Sequence, residues 1–189
     1  MGRRSIRRRA LTVCAECHWT VAGVDNDIEL LVIEERELSR AQRASSFDLF
    51  PEHWQQFGCN SPERGWTQLP PAWRVLVLDS RHGLLGQAGL VLVSVGDAVI
   101  GVSDVVVATQ ARREGVASKI LETACRFADE QEHALMIDAG DEWLRRVLGR
   151  LGFESVTDQA VLFRAGERVV PPNWMYRGEV GGLELGSNF

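Results

Sequence analysis

Alternating and continuous runs of apolar side chains predict several β-strands in the first two thirds of the chain. The predicted strands are residues 27–35, 73–80, 86–95 and 98–110. Turn residues at 81–83 (RHG) and 96–97 (GD) separate the last three. We therefore expect an antiparallel meander at 73–109, and we expect Gly101 to mark a bulge in its third strand.

Apolar residues recur at helical spacing in three further segments. The first is 35–50, which Pro51 interrupts. The second, 116–131, has one apolar face, and the third, 141–153, has Gly152 just past its end. The apolar positions of these last two helices are Val116, Ile120, Leu121, Ala124 and Phe127, and then Trp143, Val147, Leu148 and Leu151.

A buried strand at 133–140 separates the last two helices. Two short segments at 154–156 and 159–166 are then expected to form a final hairpin. The resulting order, β-α-β-β-β-α-β-α-β-β, predicts one mixed α/β (α+β) domain. We place this domain at 28–168.

The charge balance depends on the arginine-rich start of the chain. Residues 14–189 carry 16 basic and 26 acidic side chains, a net charge near −10. Nucleic-acid-binding proteins usually have the opposite sign, so we expect no nucleic-acid partner. An acidic body suits a small cationic substrate, although solubility alone also explains it. Residues 1–27 are interpreted as a flexible basic arm, with a transit peptide or a nucleic-acid-binding arm as alternatives. The arginines of this arm are Arg3, Arg4, Arg7, Arg8 and Arg9.

Cys14 and Cys17 lie in CAECH, which matches the haem-attachment pattern and half of a zinc site. Haem attachment needs export, and the chain shows no credible signal peptide. Zinc needs a second ligand pair, and no other C-x-x-C or H-x-H spacing occurs. We therefore expect no metal, reduced thiols and a cytoplasmic location. No apolar run approaches the length of a membrane span, so no membrane contact is expected.

The stretch ATQARREGVASKIL, 108–121, connects a valine-rich strand to a helix N-terminus through a glycine-containing loop. The first N–H groups of a helix have no intrahelical partner, and the helix dipole adds positive potential there. Gly115 lets the backbone approach a phosphate closely, Ala117 keeps the approach clear, and Arg112 and Arg113 add charge. The stretch is neither a Walker loop nor G-x-G-x-x-G. It predicts a phosphate or pyrophosphate site.

RREGVA, 112–117, resembles the pyrophosphate loop Q/R-x-x-G-x-G/A of the GNAT superfamily of acyl-CoA-dependent N-acyltransferases. The surrounding VVVATQARREGVASKIL is similar to that family's central strand, loop and long helix, and LGRLGF is similar to its later helix end. The resemblance covers roughly 28–165. It implies a mixed, mostly antiparallel sheet flanked by helices with splayed central strands, acetyl-CoA as co-substrate, and a possible homodimer.

The resemblance also implies the cofactor-binding residues. Backbone groups of the loop would hold the CoA pyrophosphate, and the end of the preceding strand would lie along the pantetheine arm by strand-like pairing. Simple core packing is the alternative for the strand valines. The residues implied are Val105, Val106, Val107, Arg112, Arg113, Glu114, Gly115, Val116, Ala117 and Ser118.

Acyl transfer to an amine needs a route for the amine proton. Relatives often use a carboxylate on the central strand, and Asp104 is the candidate here, with a salt-bridged strand residue as the alternative. Its neighbour Ser103 is expected on the other face of the strand. At the position of Leu148, many relatives have a tyrosine that acts as the acid toward the leaving thiolate. The one tyrosine, Tyr176, lies in the tail 169–189, which either packs on the active site and supplies the acid or does not. Without such an acid, an acyl-CoA sensor that lacks turnover is the alternative function.

The segment FDLFPEHWQQFG, 47–58, loosely resembles the corresponding part of the aminoglycoside 2'-N-acetyltransferases. We therefore expect acetyl transfer to a primary amine of a small cationic substrate, with an aminoglycoside antibiotic as the first hypothesis. Polyamines, amino acids and protein N-termini stay open, and each acid alone could be a solvated charge. The candidate substrate-binding residues are Asp48, Glu52, Trp54, Asp138, Asp141, Glu142 and Glu179.

Overall fold

The structure is a computed structural model, and it describes residues 19–20, 28–55, 62–63, 66, 70–94, 99–155, 162–164, 167–169, 174–178 and 183–184. Residues 1–18 and 21–27 of the basic arm, with Cys14 and Cys17, lie outside these residues, as do the turn at 96–97 and Glu179. The described helices are α1 (Arg40–Asp48), α2 (Glu52–Gln55), α3 (Val116–Glu130) and α4 (Glu142–Arg150). The described strands are β1 (Trp19–Thr20), β2 (Ile28–Glu34), β3 (Trp73–Asp79), β4 (Gly83–Ser94), β5 (Val99–Val107), β6 (Ala134–Asp138), β7 (Glu154–Ser155), β8 (Leu162–Arg164), β9 (Glu167–Val169), β10 (Trp174–Arg177) and β11 (Leu183–Glu184).

The main sheet has the strand order β1-β2-β3-β4-β5-β6-β10-β7. Each neighbouring pair in this sheet is antiparallel except β5 and β6, which are parallel and are connected through α3. The meander of β3, β4 and β5 and the mixed, mostly antiparallel sheet are therefore confirmed. A second sheet has three strands in the order β11-β8-β9.

The turn between β3 and β4 is stabilised by the carboxylate of Asp79. Its Oδ1 accepts hydrogen bonds from the backbone N–H of Arg81 at 2.8 Å and of His82 at 2.7 Å. These two bonds, in that order, are the main reason that the pKa of Asp79 lies below its ordinary value. The predicted turn at 81–83 is thus confirmed.

Helix α3 packs its apolar face on one side of the sheet. Its residues Ile120, Leu121 and Ala124 are fully buried against the core of β2 to β6. The close approach depends on Gly86 in β4, because a Cβ there would stand 2.9 Å from Val116 Cγ1. The predicted helix at 116–131 is confirmed, and its packing places its N-terminus beside the end of β5.

The segment 35–50 is not one helix as predicted. A short 3₁₀ turn spans Glu35–Glu37, and α1 begins only at Arg40. Ser39 caps α1 through a capping box with Gln42, with Ser39 in an extended conformation. The capping box at Ser39 starts a new helix, so the 3₁₀ turn and α1 are separate elements. The apolar spacing of 35–50 does not show this break.

The predicted final hairpin is wrong. Strand β7 pairs with β10, and β8 pairs with β9. Strand β10 comes from the C-terminal part of the chain and lies between β6 and β7 in the main sheet. Arg177 fixes it to α3, with two hydrogen bonds to the carboxylate of Asp129 at 2.5 and 2.8 Å.

The bulge in β5 is not at Gly101. This glycine pairs in register with Val91, and its missing side chain makes room for Val93, whose Cγ2 lies 2.7 Å from where a Cβ would be. The register shifts instead between the pairs Gly89–Ser103 and Gln87–Val106. Two residues of β5, Asp104 and Val105, therefore stand opposite one residue of β4.

No helix in the described part of the chain is both long and apolar enough to cross a membrane.

Candidate active site

The parallel strands β5 and β6 part near the middle of the sheet. Their pairing runs from Val99 and Ala134 to Val102 and Ile137, while β5 continues to Val107. Beyond Val102 the edge of β5 that faces β6 has no strand partner among the described residues. A cleft of about 620 Å³ opens there, which is a usual size for a small-molecule site.

The bulge places Asp104 at the start of this open edge. Asp104 is half-buried and has a φ of 51°, in the left-handed region. Among residues other than glycine, Asp and Asn adopt this conformation most readily. The neighbouring Ser103 has its hydroxyl buried on the side of Gly89 and Pro71. The bulge thus gives Asp104 a backbone geometry of its own, directly before the valines of the cleft.

The N-terminus of α3 opens into the cleft without a cap. Its N-cap residue is Gly115, and among the described residues there is no side-chain cap hydrogen bond to its first turn. The first turn also contains no acidic residue. Helix α1 shows the opposite case, because Ser39 Oγ accepts from Gln42 N at 3.2 Å. The uncapped N–H groups and the helix dipole make the start of α3 suited to an anion.

The loop before α3 adds to this anion site. Arg113 and Gly115 have φ values of 69° and 80°, and left-handed residues within a short loop turn backbone N–H groups toward one side. Arg112 Nε lies 3.5 Å from the carbonyl oxygen of Val107 and donates to it. Arg112 and Arg113 are exposed and line the cleft. Two guanidinium groups and unpaired N–H groups together favour a phosphate or pyrophosphate.

Helix α4 forms a second part of the wall of the cleft. Trp143, Val147 and Arg150 lie on one face of the helix and line the cleft together with Leu144. The side chain of Trp143 is 55% exposed, an unusual value for so large an apolar residue. The sequence pattern gives Trp143 only as an apolar position of the helix and does not point to Arg150, because helical spacing alone does not distinguish a core face from the wall of a cleft.

The short segment that follows α1 and contains α2 forms a third part of the wall. Pro51 and Trp54 belong to this wall. The rings of Phe50 and Trp54 are 6.0 Å apart, and Phe50 is buried, which anchors the indole. Gln55 Nε2 donates to the carbonyl oxygen of Phe50 at 2.8 Å and fixes the turn.

The structure brings most of the predicted cofactor residues together. The predicted residues that line the cleft are Trp54, Val105, Val106, Val107, Arg112, Arg113, Gly115, Val116, Ala117, Ser118 and Asp141. Residues that line it and were not predicted to do so are Pro51, Ala111, Trp143, Leu144, Val147 and Arg150. The predicted residues that the structure describes outside this lining are Asp48, Glu52, Asp104, Glu114, Asp138, Glu142 and Tyr176.

Tyr176 lies in β10, which is separated from β5 in the sheet by β6. It pairs with Met136, which pairs in turn with Gly101, six residues before Val107. Its hydroxyl donates to Glu154 Oε2 at 3.3 Å. Burial, and then the Glu154 carboxylate, raise the pKa of Tyr176, so the phenol holds its proton at neutral pH. The described geometry does not bring Tyr176 together with Asp104.

The position at which many relatives have a tyrosine is part of the core. Leu148 is fully buried among the residues that pack under α3. Among the described residues of α4, no side chain carries a hydroxyl group that could replace that tyrosine as the acid.

The sequence of residues 36–153 matches the model of the acetyltransferase (GNAT) family. No curated protein matches the chain. The fold is similar to that of an acyl-CoA N-acyltransferase from Pseudomonas aeruginosa, with a TM-score of 0.57 and 18% identity over 80% of this chain and 99% of that chain.

Two further similar structures were solved with coenzyme A. One is the GNAT family N-acetyltransferase YhbS from Escherichia coli, with a TM-score of 0.56 and 15% identity over 88% of this chain and 94% of that chain. The other is an aminoglycoside 6'-N-acetyltransferase, with a TM-score of 0.54 and 15% identity over 77% of this chain and 95% of that chain. At such identities the likeness shows the fold alone. The family match covers the open strand, the uncapped helix and both walls of the cleft, and the chain belongs to the GNAT family of acetyltransferases, with acetyl-CoA as its co-substrate.

Proposed function

We propose that the chain transfers an acetyl group from acetyl-CoA to a primary amine of a small cationic acceptor, with aminoglycosides as the first class to test. One observation carries the cofactor half of this proposal. The uncapped N-terminus of α3 opens into the same cleft as the open edge of β5. A pyrophosphate fits the first feature, and an amide-bearing pantetheine arm fits the second.

The residues of the cleft have the chemistry that CoA needs. N–H groups of Val116, Ala117 and Ser118 would bind the pyrophosphate, with Arg112 and Arg113 beside them. Polar backbone groups of the open edge of β5 would pair with the pantetheine amides. The apolar side chains of α4 would cover the arm and exclude water from the thioester.

The reaction is a direct transfer within a ternary complex. The lone pair of the neutral amine attacks the thioester carbonyl carbon and forms the C–N bond. The amine proton passes through a water to the Asp104 carboxylate, which stands outside the lining of the cleft and later returns the proton to solvent. A backbone N–H near Val107 would stabilise the oxyanion. The C–S bond then breaks, CoA leaves as the thiolate and takes a proton from solvent. No tyrosine acid is needed, because a thiolate is a competent leaving group near neutral pH.

The acceptor would enter along the wall formed by Pro51 and Trp54. An indole face can stack on the flat apolar side of a sugar or attract a cation. Asp141 is the one carboxylate among the described residues that line the cleft, and it would attract an ammonium group. Asp48 and Glu52 are exposed just outside the lining and would act at longer range.

Thiol release from acetyl-CoA tests the proposal when it is measured with kanamycin, spermidine, single amino acids and short peptides as acceptors. Release with kanamycin supports the aminoglycoside hypothesis, and release with another class keeps the transferase and replaces the acceptor. The buried leucine at 148 motivates the second candidate, an acyl-CoA sensor. Stabilisation by acetyl-CoA without release on any amine would favour that sensor.

A further inference from the structure

We propose that a buried network of Arg74, Glu35 and Gln87 positions the Trp54 wall against the cofactor strand and so sets the affinity for the acceptor. The inference rests on the proposed function, because it concerns the acceptor side of the same cleft. These three residues are positioning residues, since none of them lines the cleft.

The centre of the network is the guanidinium group of Arg74 in β3. Its side chain is 1% exposed. Its Nε donates to Glu35 Oε2 at 2.6 Å, and its Nη1 donates to Gln87 Oε1 at 2.7 Å. A cation buried this deeply is tolerated only where its donors are satisfied, so the geometry of both acceptors is tightly defined.

Both acceptors of Arg74 are also bonded to α1. Arg43 of α1 donates through Nε to Glu35 Oε1 at 3.2 Å and through Nη2 to the backbone oxygen of Glu35 at 2.5 Å. Gln87 Nε2 donates to the backbone oxygen of Ser46 at 3.2 Å. Helix α1 is therefore fixed to the sheet at two points, Arg43 and Ser46, which are three residues apart along the helix.

The network joins the two walls between which an acceptor would bind. On the sheet side, Gln87 is the backbone partner of Val106, which lines the cleft just after the bulge. On the helix side, α1 continues into Pro51 and Trp54, which also line it. A shift of α1 on the sheet would move the indole relative to the open edge of β5 and leave the start of α3 in place.

The side chain of Gln87 can be changed to separate these effects. Gln87→Met removes the acceptor for Arg74 and the donor to Ser46. Gln87→Glu keeps an acceptor for Arg74 but has no N–H to donate to Ser46. The ion pair of Arg177 and Asp129, on the other face of the domain core, supplies the control Arg177→Met, which removes a comparable link that does not involve α1.

The experiment measures KM for acetyl-CoA and for the amine of the panel that releases most thiol, together with the exchange of backbone amides at 40–55 and 116–130 in acetyl-CoA-loaded protein. Loss of one hydrogen bond changes an equilibrium by roughly two- to tenfold, and Gln87→Met removes two, so we expect it to raise the acceptor KM by at least about fivefold. The KM for acetyl-CoA should stay within about twofold, and exchange should accelerate at 40–55 only. Arg177→Met should lower the Tm and change neither KM.

Three results would overturn the inference: an unchanged acceptor KM in Gln87→Met, an equal rise in both KM values, or full rescue of the acceptor KM by Gln87→Glu. If Gln87→Met does not fold, Arg43→Met breaks the network at its more exposed end and should show the same KM pattern at smaller size. If no amine is acetylated by the wild-type protein, the proposed function fails, while the exchange at 40–55 still tests the network.

Discussion

Val102 and Ile137 form the last backbone pair between β5 and β6, and beyond this pair the two strands separate. The separation leaves the valines at the end of β5 beside the uncapped start of α3. In the described part of the chain, the site is therefore built from a strand edge that has no partner strand and from a helix start that has no side-chain cap. Side chains from α4 and from the segment after α1 then enclose it.

Asp104→Asn should abolish most turnover and keep acetyl-CoA binding. Asn tolerates the left-handed φ of 51° as Asp does, so the substitution removes the base and not the bulge. Loss of a general base typically costs about 10²- to 10⁴-fold in rate, which the thiol-release assay at saturating substrate would measure. Unchanged kcat would contradict the assignment of Asp104. Asp104→Ala is the less suitable variant because it adds backbone strain.

Trp143→Leu should weaken acetyl-CoA binding without loss of stability. The indole is exposed and lines the cleft, so truncation removes contact with the cofactor and disturbs no core. We expect a Kd about three- to tenfold higher, measured by titration calorimetry, since interface truncations of this kind cost roughly 1 kcal/mol. Leu92→Thr is the matched control, because Leu92 is similarly exposed at 48% and lies outside the lining of the cleft. Equal Kd values for both variants would mean that Trp143 does not contact the cofactor.

Much of the fold could be predicted because its signals are local. The amphipathic helix at 116–131, the meander and the glycine-containing loop each follow from residues that are near one another in the sequence. The bulge could not be placed from the sequence. A glycine within a strand suggests a bulge at Gly101, whereas the bulge at Asp104 is visible only in the register of β5 against β4. The insertion of Trp174–Arg177 between β6 and β7 depends on distant partners.

The acceptor side was predicted least well. The candidate acids were chosen from the resemblance of 47–58 and from the acidic composition, and of those that the structure describes only Asp141 lines the cleft. The wall residues Trp143 and Arg150 were missed for the reason given above, and Pro51 was interpreted only as a helix stop. Which apolar residues face a cleft depends on where two strands part, and no local pattern records that.

Gly86→Ala and Gly149→Ala should change stability in opposite directions. A Cβ on Gly86 would stand 2.9 Å from Val116 Cγ1 and 3.0 Å from Ile120 Cδ1, so α3 has to shift. Such overpacking costs about 1–3 kcal/mol in the free energy of unfolding. No described atom lies within 4 Å of a Cβ added to Gly149, and Ala there, in the last turn of α4, should stabilise by at most about 0.5–1 kcal/mol, the gain typical of a helix interior. Denaturant unfolding would measure both, and a stabilising Gly86→Ala would contradict the packing described.

Cys125 should resist alkylation in the folded protein. Burial raises the pKa of its thiol from 9.0 to about 11, so the thiolate fraction at pH 8 is about a hundredfold lower than in the unfolded chain. Because the folded pKa is raised, this thiol's contribution to stability is complete below pH 9 and is lost as the pH rises toward 11. Peptide mass spectrometry after iodoacetamide treatment, with and without urea, would read Cys125 separately from the other cysteines. Equal rates in both conditions would contradict the burial.

The most direct test of the site is the affinity for acetyl-CoA in the wild type and in Gly115→Val, measured by titration calorimetry. Gly115 lines the cleft with a φ of 80°, and no described atom lies within 4 Å of an added Cβ, so valine strains the loop and places its side chain where the phosphate would approach, without a clash with the described protein. A strained conformation costs about 1–3 kcal/mol, and we predict that wild-type protein binds acetyl-CoA and that the variant binds at least about fivefold more weakly. Equal Kd values, or no binding by the wild-type protein, would contradict the assignment of this loop and helix to the cofactor.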